Sequence, residues 1–271
     1  MNRNLLLLAC IILLSSCASQ LTKVMKSTDP DYKLKMGEKY FAEKKYSNAQ
    51  VVFEDLFPVL KGTAKFEDLY YKYAYTAYHL KDYMNAENLF KTFVETFPTS
   101  PKAEDADFMR AYSFYKQSPK PELDQTNTLK AMGQMQVFIN THPTSPRIHE
   151  ATAIIDESRQ KLEIKDSKNA ELYYNMGFYK SAAIAYNSII DNFPDTDKGD
   201  EYKLMVIKSY FLYAANSIEE KQAERYDKVV TECLEFVDRF PESTLTKTVE
   251  DYRQQSLNKI NNKNEQAKKA A

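Results

Sequence analysis

Histidines and paired carboxylates are the residues with which this 271-residue chain could build a metal site or an acid–base site. His79, His142 and His149 lack the spacing of metal ligands, and the sequence contains no HExxH and no CxxC motif. The Glu219–Glu220 pair lies in a charged stretch, where ordinary solvation explains it. No motif combines a nucleophile, a base and an oxyanion donor. We therefore predict a protein that is not an enzyme and that uses no metal or cofactor.

Covalent chemistry is predicted at one thiol, Cys17. Arg3 precedes an apolar run over residues 5–14, which is too short to span a bilayer but typical of a secretory signal. The following Leu14-Ser15-Ser16-Cys17 resembles the lipobox of bacterial lipoproteins, in which small residues fit the signal peptidase and the thiol accepts a diacylglycerol. We predict cleavage before Cys17 and lipidation of its sulfur.

The residues after Cys17 indicate where the anchored protein would reside. Ala18 and Ser19 follow the cysteine without an adjacent Asp, which resembles lipoproteins that are passed on to the outer membrane. No acidic cluster resembles a surface-export signal, so we expect the periplasmic face. Residues 1–16 are then the signal peptide, and residues 17–30 are the lipidated N-terminus and a tether. Each buried acyl methylene would contribute about 0.8 kcal/mol to anchoring.

The composition excludes several other classes of protein. The five glycines are far apart, so the chain has no glycine-rich loop that could hold a phosphate. The formal net charge of −1 gives no electrostatic reason to expect a nucleic-acid partner. Hydrophobic residues make up 43% of the chain and aromatic residues 13%, which argues against disorder. These features favour a folded, mostly helical body.

An internal repeat organises the chain after the predicted tether. An aromatic residue or a histidine precedes proline at intervals of 40, 45, 51 and 47 residues, at Phe57-Pro58, Phe97-Pro98, His142-Pro143, Phe193-Pro194 and Phe240-Pro241. Before each of the last four prolines, apolar residues recur in steps of four and three, as at Val229, Cys233 and Phe236. This period predicts a helix that the proline ends. Cys233 is accordingly predicted to be a small buried hydrophobic residue.

The repeat resembles the tetratricopeptide repeat, whose second helix carries a small residue, an aromatic residue and a proline at these spacings. Met36-Gly37 and Tyr40 similarly match its first helix. The resemblance implies an all-α fold over residues 31–257, a superhelical solenoid of about five tetratricopeptide repeats and about ten antiparallel helices. We expect inserts at roughly residues 117–125 and 217–223, and a polar C-terminal tail at residues 258–271.

Tyrosines on the first helices of repeats two and three are the candidate binding residues. A half-exposed hydroxyl suits a binding surface, whereas a buried one needs a partner. Projection onto the inner, concave face therefore predicts a peptide-binding groove lined by Tyr71, Tyr75, Tyr78, His79, Phe108, Tyr112 and Tyr115. The alternative is a packed inner surface, because burial of an aromatic side chain by itself contributes about 1.5–3 kcal/mol.

The order of lipobox, tether and five repeats resembles the BamD family, the tetratricopeptide-repeat lipoproteins of the outer-membrane β-barrel assembly machinery. The more specific similarities are Tyr40-Phe41, Tyr46-Ser47-Asn48-Ala49, Phe97-Pro98-Thr99-Ser100-Pro101 and Ala170-Glu171-Leu172-Tyr173-Tyr174. The resemblance implies a non-enzymatic scaffold that contacts other subunits of the machinery. Its later repeats would dock on BamA-like periplasmic domains, and its early repeats would receive unfolded outer-membrane β-barrel proteins.

Side chains near the turns of the last two repeats are the candidates for partner docking: Tyr173, Tyr174, Tyr179 and Arg225. A second interpretation stays open, namely a lipid-anchored scaffold that binds the cell envelope or a glycan, because tyrosine faces also stack on sugars. Sugar sites often include tryptophan, and this chain contains none.

Overall fold

A computed structural model of the protein describes residues 20–270, with side chains described for residues 20–262. Within residues 20–270 the chain forms twelve α-helices and no β-strand. None of these described helices is both long enough and apolar enough to cross a membrane. Cys17 and the predicted signal peptide lie outside the described residues. The helices are α1 (20–26), α2 (Pro30–Ala42), α3 (Tyr46–Leu60), α4 (Phe66–His79), α5 (Tyr83–Thr96), α6 (Ala103–Gln117), α7 (Thr126–Thr141), α8 (Ile148–Asn175), α9 (Tyr179–Asn192), α10 (Gly199–Ala215), α11 (Glu219–Arg239) and α12 (Thr246–Ala270).

The helices form two compact units. Unit 1 contains α1 to α7 and α8 as far as Ser158, and unit 2 contains residues 120–123, the rest of α8 and α9 to α12. Each unit has its own apolar core, because the buried side chains of its helices contact one another. The boundary lies within α8, a helix of 28 residues.

The predicted apolar stripes are the cores of the helix pairs. On α5, Ala86, Phe90 and Phe93 are fully buried, and the equivalent residues of the later repeats are also buried: Ala131, Met135, Phe138, Ala182, Tyr186, Ile189, Val229, Cys233 and Phe236. Small residues let paired helices approach closely, since a Cβ added at Gly37 would lie 2.7 Å from Cε1 of Phe53. The predicted all-α tetratricopeptide-repeat fold is confirmed.

The turns inside three repeats share one backbone device. Lys44, Lys81 and Gly177 adopt positive φ angles of 60°, 64° and 79° at the end of the first helix. In each turn the next residue donates a backbone hydrogen bond back to the helix, as from Lys45 N to Tyr40 O at 2.8 Å. This left-handed ending satisfies carbonyls that the terminated helix would leave without donors.

Proline ends four of the five second helices but not the first. Helices α5, α7, α9 and α11 stop one residue before the aromatic or histidine residue that caps them. Pro58 lies inside α3, which continues to Leu60, so the prediction that this proline ends its helix is wrong. The helix can continue because little of it remains, and the Phe57 carbonyl still accepts a hydrogen bond from Lys61 N at 3.0 Å.

Three boundaries differ from the sequence prediction or refine it. The insert at 117–125 is confirmed as the connection between α6 and α7, whereas α11 already begins at Glu219, so the second insert is shorter than predicted. Residues 20–26 are not a tether, because they form α1 and Val24 is fully buried in unit 1. Leu21, Val24 and Met25 have helical spacing, a signal that the short segment made easy to overlook. The predicted tail continues helix α12 as far as Ala270.

Candidate functional site

Five tyrosines of unit 1 form a continuous run of rings across α4 and α6, which we call the tyrosine wall: Tyr71, Tyr75, Tyr78, Tyr112 and Tyr115. The centroids of Tyr71 and Tyr75 lie 5.0 Å apart, and those of Tyr112 and Tyr115 lie 5.6 Å apart. Tyr78 and Tyr112 connect the two helices at 6.1 Å. All five side chains are half-buried. Each tyrosine is therefore packed on the protein and still partly accessible.

Phenylalanines beneath the tyrosine wall fix the height of its rings. Phe93 lies 5.4 Å from Tyr71, and Phe90 lies 5.1 Å from Tyr75, measured between centroids. Phe108 stacks on Tyr112 at 5.7 Å. The sequence placed Phe108 on the groove surface, but its side chain is fully buried. Its position on α6 turns it into the core of unit 1, so it supports the tyrosine wall from below.

His79 continues the aromatic surface toward the first repeat. Its ring stacks on Tyr46 with a centroid distance of 4.2 Å, and it lies 6.0 Å from Tyr75. Partial burial and the nearby Lys44 charge lower the pKa of His79 below its ordinary value. Tyr46 was not among the predicted groove residues, although the sequence placed it at the start of a helix beside this turn.

Asp105 and Arg147 hold the tyrosine wall in place. The hydroxyls of Tyr71 and Tyr75 donate to the same oxygen, Oδ2 of Asp105, at 2.6 and 2.5 Å. Arg147 Nη1 donates to the other oxygen, Oδ1, at 2.9 Å, and its guanidinium lies 3.3 Å from the centroid of Phe108. Burial, followed by the hydrogen bond to Asp105, raises the pKa of Tyr75 well above its ordinary range. The phenol therefore stays protonated and remains a donor.

Sequence reasoning missed both of these residues, for different reasons. Asp105 precedes Phe108 by three residues and Tyr112 by seven, so helical spacing places it on the same face of α6 and could have identified it. Arg147 comes directly before α8, a whole repeat further along the chain. Only the packing of one repeat against the next brings its guanidinium to Asp105.

Charged groups surround the tyrosine wall. Lys102 Nζ lies 5.4 Å from the centroid of Tyr71, and Lys116 Nζ lies 5.6 Å from that of Tyr112. The Tyr115 hydroxyl donates to Glu157, and this bond together with burial raises the pKa of Tyr115 to about 12. Fixed ring faces beside cations can bind apolar and aromatic side chains, and they suit an extended peptide.

The four predicted docking residues divide into two groups in unit 2. Tyr174 and Tyr179 lie 5.6 Å apart at the turn from α8 to α9, beside Tyr173, whose side chain is 43% exposed. The same turn exposes three further apolar side chains: Leu172, Met176 and Phe178. Arg225 has other neighbours, because its guanidinium lies 4.1 Å from the centroid of Tyr213.

Among the side chains of residues 20–262, no three His, Cys, Asp or Glu residues gather in an arrangement that could hold a metal ion. Cys233 is fully buried, which confirms the prediction that it acts as a small hydrophobic residue. Burial is also the main cause that raises the pKa of its thiol to about 12. This thiol therefore stays protonated and unreactive at neutral pH.

Known proteins match this chain over most of its length. The family model YfiO, described as outer membrane lipoprotein, matches residues 29–227. A putative outer membrane protein assembly factor BamD from Aquifex aeolicus (strain VF5) is 26% identical over 250 residues, which cover 90% of this chain and 80% of that relative.

Similar solved structures include two tetratricopeptide-repeat proteins. They are the TPR2AB-domain:pHSP90 complex of yeast Sti1, with 13% identity, coverage of 84% of this chain and 98% of that chain and a TM-score of 0.39, and a thermophilic TPR protein of Thermus thermophilus, with 14%, 86%, 99% and 0.32, respectively. Since the family match includes the tyrosine wall and the turn from α8 to α9, the chain belongs to the YfiO family of outer membrane lipoproteins.

Proposed function

We propose that this protein is a non-enzymatic subunit of the machinery that assembles β-barrels in the outer membrane. In this proposal the tyrosine wall receives unfolded outer-membrane proteins, and unit 2 docks on BamA-like periplasmic domains. Membership of the family and the BamD relative support a role in assembly. The tyrosine wall carries the proposal, because its half-buried rings offer a preformed surface for a peptide.

The substrate segment that suits the tyrosine wall is extended and ends in an aromatic residue. Asp105 already accepts the hydroxyl protons of Tyr71 and Tyr75, so these rings are held in one orientation before a ligand arrives. A fixed ring loses little entropy on binding. Lys102 and Lys116 lie beside the outer rings and can attract a carboxylate or a carbonyl of the peptide.

The turn from α8 to α9 is the proposed docking surface for the partner subunit. Leu172, Met176 and Phe178 are each more than half exposed there, beside Tyr173. Exposed apolar clusters of this kind are typical of protein interfaces.

Replacing Tyr173 and Phe178 together with alanine should therefore strongly reduce the amount of partner that co-purifies, because both exposed anchors are lost. The measurement is affinity purification of the tagged protein from detergent-solubilised outer membrane, followed by identification of the bound proteins. Leu234→Ala is the matched control, since Leu234 is also about half exposed in unit 2 but lies on α11. Undiminished co-purification of a BamA-like subunit with the double variant would rule out this surface, and purification without any assembly subunit would rule out the proposed role.

The proposal also requires attachment through Cys17. Cys17→Ala should abolish acylation and release the protein from membranes into a high-salt wash, because a single residue carries the acyl chains. Mass spectrometry of the mature N-terminus and fractionation of the envelope check this prediction. Cys233→Ala is the control, because Cys233 is buried and should leave anchoring unchanged. An unmodified Cys17 in the wild-type protein would contradict the prediction.

A further inference from the structure

A cavity in unit 2 combines cations with tyrosine rings. Its volume is about 350 Å³. It is lined by Lys180 of α9, by Tyr210 and Tyr213 of α10, and by four residues of α11: Lys221, Glu224, Arg225 and Lys228. The α11 residues recur in steps of three, one and three, so they share one helix face. We name this cavity the basic pocket.

Two cations of the basic pocket have no carboxylate to neutralise them. Lys221 lies 3.0 Å from Glu224, and Lys228 lies 2.7 Å from Glu232 on the same helix. Within the described side chains, Lys180 and Arg225 form no ion pair. Taken together, four cations and one carboxylate line the cavity, which gives a net charge of about +3 at neutral pH. The pocket therefore favours a ligand that carries negative charge.

Arg225 is held in position before any ligand binds. One nitrogen, Nη1, donates to the Ser217 hydroxyl, and the planar guanidinium lies over Tyr213 at 4.1 Å from the ring centroid. The Ser217 hydroxyl itself donates to the Tyr213 carbonyl, which ties this cluster to the end of α10. A guanidinium has five N–H donors, so several remain for a planar acceptor such as a carboxylate.

We propose that the basic pocket binds an acidic segment of another polypeptide, with a Glu or Asp side chain between Arg225 and Lys180. The two tyrosine rings suit the apolar atoms that flank such a carboxylate in a peptide. Glu224 in the lining repels a doubly charged phosphate more strongly than it repels a single carboxylate, and its oxygens can accept a backbone N–H. Lys228 and part of the α11 lining lie at or beyond the end of the family match at residue 227, so this site belongs to the present chain and does not rest on the proposed assembly role.

The test measures binding of a blocked peptide in which two glutamates flank a tyrosine, using the detergent-solubilised full-length protein. Arg225→Gln should weaken binding by about tenfold, as expected for the loss of a charge-assisted bidentate contact. Arg239→Gln is the matched control, because Arg239 is also on α11 and lies beside an aromatic ring, Phe240, but does not line the pocket. It should bind the peptide like the wild type.

A second variant separates binding from folding. Arg225 packs on Tyr213, so its loss could also disturb unit 2, whereas Lys180 is exposed and should be replaceable by glutamine without unfolding. Lys180→Gln should weaken the peptide severalfold at an unchanged melting temperature, and raised salt should weaken the wild-type complex. A peptide with glutamines in place of the two glutamates should bind at least tenfold more weakly.

Three outcomes would overturn the proposal. The glutamine peptide could bind as tightly as the glutamate peptide, or Arg239→Gln could lose as much affinity as Arg225→Gln. Inorganic phosphate could also displace the peptide at concentrations well below those at which acetate does so. That last result would identify the basic pocket as a phosphate site instead of a peptide site.

Discussion

Tyr75→Ala or Tyr112→Ala is expected to weaken the binding of an extended, aromatic-ended peptide by about five- to thirtyfold, which corresponds to about 1–2 kcal/mol. Tyr75 lies between α4 and α6 through its bond to Asp105, and Tyr112 lies between Tyr78 and Tyr115. Each substitution therefore interrupts the run of rings. Calorimetry with a synthetic peptide from the end of an outer-membrane β-barrel protein measures the loss.

A packed inner surface predicts a different result for the same variants. If the rings only stabilise unit 1, both substitutions should lower the melting temperature while the folded protein keeps its affinity. Tyr70→Ala is the matched control, because Tyr70 is a half-buried tyrosine of α4 that stacks on Phe57 at 5.4 Å, outside the tyrosine wall. It should cost stability without loss of peptide affinity. Equal affinities for Tyr70→Ala, Tyr75→Ala and the wild type would refute the binding role.

Tyr75→Phe separates the ring from the hydroxyl. The phenylalanine keeps the aromatic face but removes the hydrogen bond to Asp105, whose oxygen still accepts from Tyr71. We expect near wild-type peptide affinity if the ring face makes the contact. A loss as large as that of Tyr75→Ala would show that orientation by Asp105 is the more important property.

The largest expected loss of stability is at Lys203, which lies almost fully buried on α10. Its Nζ is 2.5 Å from Oε2 of Glu232 and 2.7 Å from Oε2 of Glu235, and the Glu232 side chain is only 2% exposed. Lys203→Met should lower the free energy of unfolding of unit 2 by about 3 kcal/mol, because it leaves the buried Glu232 carboxylate with Lys228 as its remaining cation. Chemical denaturation followed by circular dichroism measures the change.

A double variant checks that explanation. Adding Glu232→Met to Lys203→Met removes the orphaned charge, so it should recover most of the lost stability despite the second substitution. Lys208→Met is the control on the same helix, because Lys208 is only half-buried and forms no ion pair with any side chain of residues 20–262. If the double variant is as unstable as the sum of its single variants, charge burial is not the cause.

The local rules of the sequence were sufficient for the helices and the repeat. Steps of four and three identified the buried stripes, including Cys233, and the prolines after α5, α7, α9 and α11 located their ends. These features depend on neighbours within one helical turn, which sequence spacing records. The same reasoning was wrong at Pro58 and at residues 20–26, where the packing of unit 1 overrides the local signal.

The binding surfaces depended on contacts between residues far apart in the chain. Helical spacing identified the tyrosines, but Phe108 turned out to be core, and Asp105 receives Arg147 from 42 residues away. Likewise, the predicted docking group separated, because Arg225 packs on Tyr213 in the basic pocket. The sequence thus determined the periodic elements and which residue types they carry. Only the tertiary structure decided which side chains share a surface, because the stacking of one repeat on the next fixes the rotation of every helix about its axis.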